Sequence, residues 1–99
     1  MANISFSTPF LRGFTHQDLT AGITASTLLA TAVTPERRVV VIVQNKSTTA
    51  TIQVILADTG TAGILIAPQG NISLDNYNGV VRVIASAAST PVHLAYAVV

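Results

Sequence analysis

The chain has no cysteine and no tryptophan, and only 9% of its 99 residues are charged. Without cysteine there is no disulfide staple and no thiolate metal site; the compartment stays open on this ground. Domains of this size bury a modest core, roughly 60–65% of the unfolded chain's surface, so the fold has little stability to spare. Soluble domains average about 25% charged residues, and surface charge opposes association. Hydrophobic residues make up 49% of the chain. A β surface coated with Thr, Ser, Asn and Gln explains so few charges. So does a surface covered by neighbours, and the pattern along the chain favours the second.

Basic residues are also too sparse for a nucleic-acid binder. Arg12, Arg37, Arg38, Lys46 and Arg82 are scattered, with a net charge of +1. The one basic pair, Arg37-Arg38, would point to opposite faces of a strand, which makes no basic stripe. The start, MANIS, has neither a basic nor an apolar leader region, and no apolar run approaches the ~18–20 residues of a membrane span. The expectation is a chain made and kept in the cytoplasm unless a partner carries it elsewhere, with no membrane partner. Asn45-Lys46-Ser47 and Asn71-Ile72-Ser73 match the glycosylation acceptor pattern, and read here as turn and strand-start chemistry.

What the chain does have is β patterning. Residues 39–43 form a β-branched run, expected as a strand buried on both faces. Ile52, Val54 and Leu56 alternate with Thr51, Gln53 and Ile55, while residues 63–66 give a further short strand. Pro68-Gln69-Gly70 suits a β-turn. Ile72 and Leu74 alternate with Asn71 and Ser73. Asn78-Gly79 is a strong hairpin signal because both residues tolerate positive φ. Val81, Val83 and Ala85, then Val92, Leu94, Tyr96 and Val98, mark one face of each of the last two strands. Residues 25–33 are compatible with a short helix, but their threonines favour a strand. Short strands at 8–12-residue spacing predict an all-β antiparallel sandwich or small barrel, jelly-roll-like, over residues 21–99.

Several strands carry apolar residues on their second face as well. Ile55, Leu65, Val80 and Ile84 are therefore expected to form an oligomer interface. Residues 1–20 differ in kind: all three phenylalanines, Phe6, Phe10 and Phe14, lie there. Their four-residue spacing suits a helix face, but Pro9 and Gly13 oppose a helix. The expectation is an extended arm that binds a partner through Phe6, Phe10, Leu11 and Phe14, with folding back onto its own sandwich as the alternative.

Nothing in the sequence assembles a reaction. Asp18, Glu36, Asp58 and Asp75 form no paired-carboxylate motif, and the latter pair of Asp residues suit turns. His16 and His93 are far apart in sequence and share no metal-ligand spacing. His16 is expected to be solvated or in an arm contact, and His93 on a strand surface. No serine sits in a G-x-S-x-G context and no Gly-x-Gly phosphate loop occurs. The expectation is a protein without catalysis, cofactor or metal.

Residues 39–45 (VVVIVQN), 50–54 (ATIQV), 63–68 (GILIAP), 72–79 (ISLDNYNG) and 92–98 (VHLAYAV) together resemble small tailed-phage virion proteins of the capsid decoration or cement type. The similarity spans about residues 38–99, rests on style rather than a signature, and leaves the arm uncovered. It implies a β-sandwich on the capsid surface, bridging major capsid protein subunits, as a homo-oligomer with a trimer favoured. A head–tail or tail structural protein is an alternative within that class. A carbohydrate- or receptor-binding β-module is the alternative outside it; with no Trp, only Tyr77 and Tyr96 could serve as its platforms, Tyr77 being either an exposed contact or a ring packed over its turn.

Overall fold

A computed structural model describes residues 13–98. Eight strands run in chain order: β1 (Phe14–Ala21), β2 (Ser26–Leu29), β3 (Arg38–Asn45), β4 (Ile52–Ile55), β5 (Ile64–Ile66), β6 (Asn71–Asp75), β7 (Val81–Ala85) and β8 (Thr90–Val98). There is no helix among the described residues, hence none able to cross a membrane. The strands form two antiparallel four-stranded sheets, β1-β8-β3-β6 and β2-β7-β4-β5. First pairs with last, second with seventh, third with sixth and fourth with fifth. That nested ladder, rolled so that β8 meets β3 and β7 meets β4, is the jelly-roll form of the expected sandwich.

The core follows the period of two. Val41, Val43, Val92 and Leu94 from one sheet face Ile52, Val54, Val81 and Val83 from the other, all at most 1% exposed. Alternation puts their neighbours on the outer faces. The run 39–43 is therefore buried on one side only: Val40 and Ile42 are half-buried outside. The stretch 25–33 yields β2, as its threonines favour.

Two expectations need correction here. Residues 14–20, assigned to the arm, form most of β1, which pairs with β8 along its whole length. Leu19 and Ala21 turn inward from β1 onto the core, and the alternation was masked because Phe14, His16, Asp18 and Thr20 occupy the other face. The Asn78-Gly79 hairpin does not form either, because β6 and β7 belong to different sheets. Asn78 instead caps the crossover: its Oδ1 accepts from the Arg38 amide at 2.7 Å, and its carbonyl accepts from Ala32 N at 2.9 Å.

Polar side chains close the ends of the sandwich. Arg38, 3% exposed, donates through its guanidinium to the carbonyls of Gly79 and Ala30 and lies over the Tyr96 ring. It thereby ties the β2–β3 and β6–β7 connections together. Asn45, fully buried, donates to the carbonyls of Ala50, Ile66 and Ala67, while its Oδ1 accepts from Ser47 N. Those bonds satisfy loop carbonyls that burial would otherwise strand, and they bear out the turn-chemistry reading of Asn45.

Candidate interaction surfaces

The strand registers divide the predicted interface residues. On the outer face of β2-β7-β4-β5, Ile84, Gln53 and Leu65 stand in one row. Leu65 is 65% exposed and its neighbour Ile64 44%, on a three-residue edge strand without a charge. Ile84 is half-buried and lines a shallow pocket of about 110 Å³ with Gln53, Thr51 and Ser86. Val80 is half-buried but lies in the crossover before β7, where its carbonyl accepts the Tyr77 hydroxyl at 2.6 Å.

Ile55 is a correction. It shares the outer face with Arg82 yet is 1% exposed, because the chain's own loop 56–63 folds over it. Arg82 Nη1 donates to the Gly60 carbonyl at 3.0 Å, and Gly63 N donates to Gln53 Oε1 at 3.0 Å. Gly63 passes so close to β4 that a Cβ there would sit 2.3 Å from the Val54 carbonyl oxygen. Ile55 thus belongs to a small core of its own, and only Leu65 and Ile84 of the four predicted residues share an open face.

The outer face of β1-β8-β3-β6 is a surface that sequence reasoning did not assemble. Its rows are Phe14, Ala97, Val40, Asp75; His16, Ala95, Ile42, Ser73; and Asp18, His93, Gln44, Asn71. Phe14, Val40 and Ile42, with the two alanines between, make an apolar patch in the first two rows. Phe14 is 38% exposed, while Ala95 and Ala97, at 3% and 1%, are shielded by larger flanking side chains. Phe14, placed in the arm by sequence, is thus a strand residue on this patch; Phe6, Phe10 and Leu11 lie outside the described residues.

The third row carries a chain of polar contacts. Lys46 Nζ sits 3.2 Å from Asp18 Oδ1, which accepts from His93 Nδ1 at 2.8 Å. His93 Nε2 in turn meets His16 Nδ1 at 2.8 Å, and the Phe14 ring stacks on the His16 ring. Hydrogen bonding from His93, then the bond and charge of Lys46, hold the Asp18 carboxyl below its usual value of 3.8. The two histidines, 77 residues apart in sequence, meet because β1 and β8 pair with Asp18 opposite His93, which puts His16 on the diagonal. No spacing rule along one strand reveals that.

Chemically, this chain of groups has no serine or threonine hydroxyl hydrogen-bonded to either imidazole among the contacts of the described residues. No group of three or more His, Cys, Asp or Glu that could hold a metal ion occurs among the described residues. Tyr77 and Tyr96 are both packed against the core, so Tyr77 follows the packed-ring alternative. Comparison with known protein families and with curated proteins gives no match for this chain.

Proposed function

We propose that the chain is a non-enzymatic structural protein of a tailed-phage virion, bound on the capsid surface as an oligomer, a trimer being favoured. It would bridge major capsid protein subunits after synthesis in the host cytoplasm, using its open apolar faces and the Phe-bearing residues before β1. It needs no cofactor for this.

The observation that carries the reading is the pair of apolar patches left outside the core. Leu65 and Ile64 on the β5 edge are 65% and 44% exposed, and Phe14, Val40 and Ile42 lie together on the opposite sheet. An apolar edge strand without a charged gatekeeper is a template for association unless something covers it. The jelly roll adds a fold-level analogy, since capsid domains use it, as do lectins and cupins. With both tyrosines packed inward, a sugar-binding platform has less to build on. Many copies on a lattice would gain avidity from weak individual contacts.

The test is cosedimentation of the purified chain with phage capsids lacking it, alongside light scattering in solution. Binding in hundreds of copies per particle is expected; a chain that stays in the supernatant, monomeric at micromolar concentration, overturns the reading. Deleting residues 1–12 should abolish particle binding while leaving the β circular dichroism intact. A longer deletion to residue 20 would remove β1 and test folding instead.

A further inference from the structure

The contact between His16 and His93 has a proton arrangement that follows from its neighbours. The Asp18 carboxylate only accepts hydrogen bonds, so the 2.8 Å contact from His93 Nδ1 requires a hydrogen on that nitrogen. In the neutral ring, His93 Nε2 then carries a bare lone pair. That lone pair points at His16 Nδ1, 2.8 Å away, so the single hydrogen between the rings resides on His16. Two imidazole nitrogens thus converge on one proton, with a carboxylate fixing the orientation of one ring from behind.

We propose that His16 and His93 form a two-imidazole site for a borderline divalent cation such as Zn²⁺ or Ni²⁺, with Asp18 as the positioning residue for His93. The cation takes the place of the shared hydrogen: His16 keeps its proton on Nε2 rather than Nδ1, and both facing lone pairs bind metal. A neutral pair therefore releases no net proton. Metal–nitrogen bonds of about 2.0–2.1 Å at a tetrahedral angle put the nitrogens about 3.4 Å apart, so the rings must separate by about 0.6 Å. His16 is exposed, which gives it room for this, and water completes the coordination. Imidazole pairs favour these ions over Mg²⁺ and Ca²⁺, which prefer oxygen ligands. A carboxylate behind a ligating histidine raises its basicity and holds its tautomer, which is the place Asp18 occupies. Bound metal would pin the edge strand β1 to β8. The inference stands on the β1–β8 contacts alone, independently of the capsid reading.

The experiment uses the full chain without a polyhistidine tag, titrated with ZnCl₂ and separately with MgCl₂. Calorimetry gives affinity, and NMR of the histidine ring nitrogens gives the ligands. One Zn²⁺ per chain is expected, shifting His16 Nδ1 and His93 Nε2, with no Mg²⁺ response. His16→Ala and His93→Ala should each weaken binding at least about tenfold, and Asp18→Asn by about tenfold, while circular dichroism stays that of the parent. Unmoved ring nitrogens at millimolar ZnCl₂ overturn the proposal. So does an affinity unchanged within twofold in both histidine variants, which would place the metal elsewhere on the chain.

Discussion

The two sheets bury the same kind of side chain and treat their outer faces differently. Sheet β2-β7-β4-β5 folds loop 56–63 over part of its outer face, so that Ile55 ends at 1% exposure while Leu65, on the neighbouring strand, stays at 65%. Sheet β1-β8-β3-β6 has no such cover among the described residues; its outer face grades from an apolar patch at Phe14 to the Lys46–Asp18–His93–His16 chain. Loop cover, not residue type, therefore decides whether an apolar side chain on a second face is core or surface. An isoleucine and a leucine of similar hydrophobicity have opposite roles for that reason.

The strongest way to break this comparison is truncation on the covered face. Ile55→Ala should cost about 2–5 kcal/mol, as for any buried large-to-small change. Leu65→Ala should stay within about 0.5 kcal/mol, as exposed sites do. Guanidinium chloride unfolding measures both, and equal losses would show that the lid does not shield Ile55. Arg38→Met comes next. It leaves the Ala30 and Gly79 carbonyls without their guanidinium donor, an expected loss of about 1–3 kcal/mol; an unchanged denaturation midpoint would show that the sandwich end does not depend on this bridge.

The smallest effect concerns the polar row of the open face. Asp18's folded pKa is depressed, chiefly by the His93 hydrogen bond and then by Lys46. Its contribution is therefore fully present above 3.8 and is lost as pH falls through the lower folded value. The stability difference between the parent and Asp18→Asn, measured in EDTA, should shrink toward zero as pH drops through that range. It should also narrow in high salt, because the pair is exposed and screened. A difference that persists at pH 2 would assign Asp18 a role other than its charge.

Much of the sandwich was legible because burial on one face of a strand repeats every second residue. Ile52 and Val54, Val81 and Val83, and Val92 and Leu94 were marked as facing sets, and each set is in the core. β1 was hidden because its inward side is short: Leu19 and Ala21 do the packing, while the clustered phenylalanines, with Pro9 and Gly13 opposing a helix, suggested an arm. The Asn78-Gly79 signal failed because a two-residue turn presumes that the flanking strands pair, and β6 and β7 enter different sheets. At the candidate sites, Leu65 and Ile84 could be found from alternation. The His16–His93 contact could not, since a cross-strand meeting over 77 residues has no local trace.

Alternation, turn residues and the scarcity of charge were enough to specify an all-β sandwich with apolar residues to spare. They act within a few residues, where side-chain direction is set by the strand's pleat. Which spare residues are covered, which histidine meets which carboxylate, and that Phe14 belongs to β1 were settled by the rolling of the ladder. Those outcomes depend on strand register and loop path across the whole chain, and no short window of sequence contains either.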